Sequence, residues 1–333
     1  MIGDATVPVT ITGLGAYAPE RILANAELET LVDTSDEWII ERTGIRERRI
    51  ASDTQALTDL ALPGCEVALS QAGLTGKDID LLIVATVTPD VSFPASAVIL
   101  ADKLGATNAG AYDLSAGCTG FMYAVVQAYG MLAAGLGQRA LVVGGDVLSR
   151  ILDWNDRSTV VLFGDGAGAV VLERSEQPGF LALDLGADGS GGENLWLPGS
   201  GSRLFDDADK HVKMNGREVF KFATRILVQS AHDVLARAGF TIDDVDVYIP
   251  HQANVRIIDH ATNKLGIPSD RVVINVDRYG NTSSGSIPLA LAEAQADGRL
   301  QPGQLVLMTG MGAGLTWGSA LMRWTMPTRT MPT

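Results

Sequence analysis

Three side chains far apart in the chain have the types needed for covalent catalysis: Cys118, His251 and Asn281. Cys118 stands in Leu114-Ser115-Ala116-Gly117-Cys118-Thr119-Gly120-Phe121, between an apolar stretch and a helix-like run from Phe121 to Leu132. A cysteine at a helix N-terminus faces unpaired backbone N–H groups and the positive end of the helix dipole, and both favour the nucleophilic thiolate. Taken alone it would read as an inert buried cysteine. His251 directly follows the strand-like Val247-Tyr248-Ile249-Pro250 and opens His251-Gln252-Ala253-Asn254. The end of a buried parallel strand is where α/β proteins open their crevices, so function and structure are evenly matched at this residue. His211, His232 and His260 fall in a loop or in helix-like runs and read as structural. Asn281 lies in a dense run of small and hydroxylic residues, Tyr279 to Pro288. Turn chemistry and helix capping explain most such runs. Yet a carboxamide is also a neutral donor suited to an oxyanion or enolate. A Cys–His pair equally suits a cysteine hydrolase, in which histidine takes the thiol proton and water releases an acyl-enzyme.

The elements that must carry these residues come in two copies. Gln71-Ala-Gly-Leu-Thr-Gly-Lys-Asp-Ile-Asp80 resembles Arg237-Ala-Gly-Phe-Thr-Ile-Asp-Asp-Val-Asp246, an offset of 237 − 71 = 166. Gly137-Gln-Arg-Ala-Leu-Val-Val-Gly144 resembles Gly303-Gln-Leu-Val-Leu-Met-Thr-Gly310, and 303 − 137 is again 166. A shared offset across separated segments marks an internal repeat. Strand-like and helix-like runs alternate in both copies, which predicts an α/β fold with buried sheets. Helices are expected over Leu57–Ala72, Thr119–Gly135, Glu218–Ala238 and Ile287–Gly298. The polar stretch Glu173–Pro178 divides residues 1–175, carrying Cys118, from residues 176–333, carrying His251 and Asn281. Gly186–Asp209 reads as a long surface loop and the tail from Thr325 as disordered.

The 333 residues suffice for a large core, and 46% are apolar. Only two cysteines are present, Cys65 and Cys118, so no disulfide framework is possible and a cytoplasmic location is expected. The N-terminus lacks the basic start and apolar centre of a signal peptide, and no apolar run reaches a membrane span. A net charge of −14 argues against a general nucleic-acid binder. Basic residues still cluster as Arg42, Arg46, Arg48 and Arg49, and as Lys210, Lys213, Arg217, Lys221 and Arg225. Such clusters are mostly solvated faces, but a positive patch on an acidic protein can also receive an anion.

Other signals are weak. No metal-ligand spacing is evident, and the four histidines are scattered. Gly13-Leu-Gly15-Ala-Tyr-Ala18 imitates a dinucleotide fingerprint, but Pro19 fits poorly with the helix that should follow. The glycine runs at Gly164/Gly166/Gly168 and Gly310/Gly312/Gly314 lead into strands and are not phosphate loops. Thr34-Ser-Asp-Glu37 reads as a capping box. Trp38 and Arg42 then share one helix face, either packed and solvated or a platform for an adenine ring with a cation for phosphate.

Taken together, these residues resemble the β-ketoacyl-acyl-carrier-protein synthase III family of the thiolase superfamily, from about Val9 to Trp324. The resemblance rests on Thr34–Arg46, the Cys118 segment, Asp156-Arg157, Phe163–Gly168, Met214–Lys221, Pro250–Asn254, Asn281-Thr-Ser and Gly314–Gly318. It implies a five-layered αβαβα sandwich built from two similar βαβαβαββ halves, and a homodimer in which Phe93 reaches the partner's acyl pocket. The family's catalytic Cys, His and Asn correspond to Cys118, His251 and Asn281. The implied reaction loads an acyl group from acyl-CoA onto Cys118, then condenses it with decarboxylating malonyl-acyl-carrier protein, and initiates fatty-acid synthesis. It needs no metal and no cofactor beyond the CoA thioester substrate. Backbone N–H groups of Cys118 and Ala313 would hold the oxyanion, with Ala313 standing where the family usually has glycine. Trp38 and Arg157 would sandwich the CoA adenine, with Arg42 at its phosphates, Phe220 along the pantetheine channel and Asn254 orienting the site. Lys221 and Arg256 would face the anionic carrier or the CoA phosphates. Gly117 and Gly285 replace an alanine common in related sequences, a change expected to bear on pocket width. Two further readings are an acyltransferase or starter-unit synthase of polyketide and secondary metabolism, and a non-catalytic carrier-binding subunit. Asn281 and Cys118, respectively, argue against them.

Overall fold

Leu81–Ala85 is buried at every position, as a parallel strand covered on both faces must be. The computed structural model describes residues 7–203 and 210–327. Val9–Tyr17 (β1), Leu81–Ala85 (β2), Gly110–Leu114 (β3), Arg139–Asp146 (β4) and Gly166–Arg174 (β5) form one sheet, in the order β1-β5-β4-β2-β3. β5 runs antiparallel to both of its neighbours, whereas β4, β2 and β3 are parallel. Phe180–Ala187 (β6), Val247–Pro250 (β7), Leu305–Gly312 (β8) and Thr316–Arg323 (β9) form the second sheet, ordered β6-β9-β8-β7. Here β9 is antiparallel to both neighbours and β8 is parallel to β7. A parallel bridge from Tyr248 to Val272 stands beside β7 where β3 stands beside β2. The registers repeat as well. Leu81 faces Ala140 and Val247 faces Val306, a separation of 59 in each case (140 − 81 and 306 − 247).

The helices fall into layers according to how their apolar residues are distributed. Asp36–Thr43 (α1) buries Ile39 in the apolar cluster on the outer side of the second sheet, and its N-cap is Ser35 rather than Thr34, one residue later than the sequence suggests. Leu57–Ala72 (α2) and Ser96–Leu104 (α3) pack Leu57, Leu60, Ala97 and Leu100 against Leu82, Val84, Leu141 and Val143 on the outer face of the first sheet. The alternate residues Leu81, Ile83, Ala140 and Val142 face inward, as the two-residue period of a strand requires. Gly120–Ala133 (α4) and Ser286–Ala296 (α7) meet them there, with Val306, Met308 and Ala320 closing from the second sheet. Both helices are apolar around most of their circumference, which suits a layer walled on both sides by sheet. Gly216–Ala238 (α5) and Val255–Leu265 (α6) are amphipathic and cover the outer face of the second sheet through Ala231, Val234 and Ile258. The result is an αβαβα sandwich.

Several local expectations need correction. The Gly186–Asp209 stretch is more than a surface loop. It contains a short 3-10 turn, Gly189–Asn194, and a two-residue strand, Leu195–Trp196, paired with Lys213–Met214. Residues 204–209 lie outside the described residues. The tail packs as far as it is described. Met326 is buried in the central core, and Gln295 Nε2 donates to Pro327 O at 2.7 Å. Residues 328–333, also expected to be disordered, lie outside the described residues. Arg48 is no solvated cation, since its relative exposure is 0%. Its guanidinium donates to Leu23 O, Asn25 Oδ1 and Val161 O at 3.2, 2.8 and 2.8 Å.

Phe121, one helical turn beyond Cys118, is buried in the central layer against both sheets. Phe121→Ala is expected to cost about 3–5 kcal/mol of folding stability, read as a lower urea midpoint at unchanged m-value.

Candidate active site

The nucleophile sits where the chain leaves β3 and turns into α4. Gly117 takes φ +56°, a left-handed conformation open to glycine, and the 3-10 turn Gly117–Thr119 then presents Cys118. The end of β8 lies against this turn. A Cβ on Gly312 would stand 2.6 Å from Cys118 N, and one on Gly117 would stand 2.9 Å from Ala313 N. Backbone therefore touches backbone, and glycine is required on both sides. The Thr316 hydroxyl lies within reach of Ala116 O at 3.0 Å, Ala313 O at 2.9 Å and Thr119 Oγ1 at 3.1 Å, tying the two turns together. Cys118 and Ala313 thus stand on adjoining turns and line one cavity, where backbone amides could serve an oxyanion.

His251 leaves the sheet at the end of β7, its N–H bonded to Thr309 O at 2.8 Å. Gln252 fixes this turn by donating to Pro250 O and Val273 O at 2.8 and 3.0 Å and accepting from Asn275 N at 3.0 Å. The ring Nδ1 lies 2.6 Å from Ser286 Oγ, the first residue of α7, and that oxygen also accepts from Gln252 N at 3.3 Å. With the hydroxyl, which already accepts from Gln252 N, donating to Nδ1, the ring proton stands on Nε2. Nε2 is buried and has no protein partner. Asn281 is held by its backbone, N–H to Leu162 O at 2.8 Å and carbonyl from Gly164 N at 3.0 Å. Its Oδ1 accepts from Ser283 N at 2.9 Å, which turns the amide nitrogen toward open space.

That space is shared. One cavity of about 140 Å³ is lined by Cys118, His251 and Asn281 together with Phe163, Phe220 and Asn254. A second, of about 250 Å³, begins at Cys118 and runs between Val87, Leu148, Ile151, Leu152 and Leu197. Cys118 stands in the wall common to both. Burial pushes the His251 imidazole down to about 3, so the ring is neutral. The thiol departs from the sequence expectation. Burial, with a smaller push from the Asp146 carboxylate, raises Cys118 to about 11, against the lowering effect of the Ser283 hydroxyl. Desolvation outweighs the advantage of the helix terminus, and the resting nucleophile is a thiol.

The remaining predicted residues divide. Phe220 and Asn254 line the smaller cavity. Asn254 Oδ1 also caps α6 by accepting from Arg256 N at 2.8 Å, and its Nδ2 donates to Arg42 O at 3.1 Å. Arg256 lies over the Phe220 ring at 5.8 Å, and exposed Lys221 stands 3.9 Å from Glu218. Trp38 and Arg157 do meet, but at 4.9 Å from guanidinium to ring, with Arg157 also donating to Asp33 O at 2.9 Å. An intercalated base needs about 7 Å, two van der Waals separations, so Arg157 occupies the slot itself. Arg42 is exposed nearby. Phe93 lies outside this site at 86% exposure. Gly285 lines neither cavity, contrary to expectation. A Cβ there would meet Gly166 O at 2.7 Å, so this glycine serves helix packing rather than pocket width. Among the described residues no group of three or more His, Cys, Asp or Glu is placed to hold a metal ion.

Comparison with known proteins points to one family. Family models described as 3-oxoacyl-[acyl-carrier-protein] synthase III and its C-terminal part match residues 112–189 and 235–324. The chain is 52% identical over 324 residues to a β-ketoacyl-[acyl-carrier-protein] synthase III of Symbiobacterium thermophilum, covering 95% of this chain and 98% of that one. The chain belongs to the β-ketoacyl-acyl-carrier-protein synthase III family. The synthase III structure from Aquifex aeolicus superposes with a TM-score of 0.90 at 45% identity, covering 95% of this chain and all of that one. The priming β-ketosynthase of the R1128 polyketide pathway gives 0.92 at 37% identity, covering 97% and 98%. The fold is therefore the thiolase-like sandwich of that family.

Sequence reasoning missed Ser283, Ser286, Thr316 and Asp146 in this synthase III family site. Ser283 and Ser286 lay within the hydroxyl-rich run already noted, and only the fold shows which hydroxyl faces the imidazole. Because Ser286 sets the tautomer, the wild-type His251 ring is expected to show a protonated Nε2 in 15N NMR, with no titration between about pH 5 and pH 8. Ser286→Ala is expected to give a mixture of tautomers in the same spectrum.

Proposed function

We propose that the chain catalyses the decarboxylating Claisen condensation of an acyl-CoA starter with malonyl-acyl-carrier protein, yielding a β-ketoacyl-carrier protein, CO2 and CoA, and so initiates fatty-acid synthesis. The observation that carries this is the cavity where a buried thiol meets two neutral hydrogen-bond donors, His251 Nε2–H and the Asn281 amide. In the first half-reaction the Cys118 sulfur attacks the thioester carbonyl, and the Cys118 and Ala313 amides stabilise the oxyanion. CoA leaves, and the acyl chain lies in the apolar cavity beyond Cys118. In the second, the malonyl carboxylate departs as CO2. The two donors hold the enolate oxygen, its carbon attacks the Cys118 thioester carbonyl, and the C–S bond breaks with its electron pair on the Cys118 sulfur, which takes up one proton from solvent to restore the thiol. A neutral imidazole suits that task, because it donates without adding a charge that would hold the carboxylate in place. A hydrolase would instead need histidine as the thiol's base, and an Nε2–H imidazole presents no lone pair to the sulfur. The reaction balances without a metal or redox cofactor.

The same proposal assigns the surroundings. Phe220 and Asn254 flank the pantetheine arm, Trp38, Arg42 and Arg157 take the CoA nucleotide once Arg157 moves off the tryptophan, and Lys221 with Arg256 meet the acidic carrier. A homodimer would cover the exposed Phe93, Val91 and Val98, which stand beside the edge strand β3. A cytoplasmic location is supported by two free, buried cysteines and by the lack, among the described residues, of a helix long and apolar enough to cross a membrane. The structural likeness to a polyketide priming synthase favours a second reading, in which the same chemistry primes a polyketide carrier.

With radiolabelled acetyl-CoA, wild-type protein is expected to take label on Cys118, and Cys118→Ala to take none. His251→Ala and Asn281→Ala are expected to keep the label while lowering CO2 release from malonyl-carrier protein by roughly 100- to 1,000-fold. Full condensation by Cys118→Ala would overturn the proposal. In sedimentation equilibrium, Phe93→Asp is expected to shift a dimer toward monomer.

A further inference from the structure

Glu293 is the one charged residue of α7, a helix that otherwise carries small, apolar and neutral side chains through the central layer. Its carboxylate accepts from Asn275 Nδ2 at 2.9 Å, from both terminal nitrogens of Arg278 at 2.8 and 3.0 Å, and from the Tyr279 hydroxyl at 2.7 Å. All of these donors lie within residues 275–279, which include the short helix Val276–Tyr279. Only Gly280 separates Tyr279 from Asn281. An ion pair with the half-exposed Arg278 adds little stability, and the other two donors are neutral. What a carboxylate gripped from several directions supplies is orientation.

The same segment is tied to His251. Asn275 N donates to Gln252 Oε1 at 3.0 Å, and Gln252 N donates to Ser286 Oγ, the atom facing His251 Nδ1. Ser286 and Glu293 stand seven residues apart on α7, two helical turns along one face. The connections therefore close on themselves. They run from α7 through Ser286 to His251, along the chain to Gln252, across to Asn275, and back to α7 through Glu293. Asn281 leaves this ring just after Tyr279 and is held on its far side by Leu162 O and Gly164 N. Cys118 lies outside the ring, since its turn is set by the Gly312 backbone and by the Thr316 hydroxyl.

We propose that Glu293 is a positioning residue for decarboxylation, clamping residues 275–279 to α7 and so fixing the separation of the two donors, His251 Nε2–H and the Asn281 amide. The inference rests on the proposed condensation. Glu293 lines neither cavity and acts only through the segments it holds. Both donors must point at one enolate oxygen, and a misplacement of about 1 Å in such an arrangement can cost about 100-fold in rate. The loading of Cys118 uses neither donor.

The experiment compares the two half-reactions in Glu293→Gln and Tyr279→Phe, by single-turnover labelling with radiolabelled acetyl-CoA and by kcat and KM for CO2 release from malonyl-carrier protein. Glu293→Gln keeps the shape but turns one acceptor into a donor that faces other donors. It is expected to take label at the wild-type rate, while kcat for CO2 release falls about 10- to 100-fold at unchanged KM. Tyr279→Phe removes a single hydroxyl and keeps the ring, and is expected to lower the same kcat by less. A merely structural role would loosen the whole site and slow labelling and CO2 release alike, and that result would overturn the assignment. CO2 release by Glu293→Gln at the wild-type kcat would also overturn it, with the condensation reading intact. If wild type takes no label, or takes label and releases no CO2, the condensation reading falls and this inference with it.

Discussion

Two largely apolar helices govern this molecule. α4 and α7 bury most of their surface against apolar side chains, and the space between the two sheets supplies that surface. Once both lie in that layer, their first turns open at the same depth. Cys118 and the Asn281–Ser286 segment become neighbours although 163 residues separate the two reactive groups (281 − 118). The fit leaves almost no freedom, because β8 presses its Gly312 backbone against the amide of Cys118 and β4 presses Gly144 within 2.3 Å (as a built Cβ) of Ser284 O. Loss of packing in the middle layer would therefore be felt as lost geometry at the sulfur before it was felt as unfolding.

Much of this was legible in the chain. The 166-residue offset anticipated the paired sheets, and it holds down to strand register at Leu81/Ala140 and Val247/Val306. The helix expected over Leu57–Ala72 has those ends, because a strong apolar period meets Gly73 at its close. Residue types and family resemblance singled out Cys118, His251 and Asn281. What remained hidden depends on contacts between distant segments. Ser284 meets Asp146 across 138 residues and Ser286 meets His251 across 35, and no local pattern distinguishes these serines from ordinary helix caps. Arg48 looked like one more surface cation, because burial of an arginine by three carbonyl-type oxygens leaves no mark in sequence. Leu195–Trp196 looked like loop, since a two-residue strand is too short to show a period.

The chain is strongly acidic overall, and its buried charges are held in two ways: Asp184 pairs with Arg237 at 2.7 Å, whereas Asp146 and Arg48 are held by dipoles. Asp146 is surrounded by donors, and Arg48 by acceptors while burial lowers it to about 10. The reactive thiol and imidazole are both neutral at rest. Charge at this site develops only when a substrate is present, and the groups that will stabilise it are already fixed in place, so little reorganisation is needed when it appears.

Arg157, lying on the Trp38 ring, has a further consequence on the proposed reaction. A nucleotide can stack there only by displacing the cation from the aromatic face, surrendering about 0.5–1 kcal/mol of attraction that the purine must replace. A thioester delivered on a carrier protein has no purine and leaves this latch shut. On that proposal, two reactants that share one flexible arm would be told apart at the rim, some distance from any bond that is made or broken.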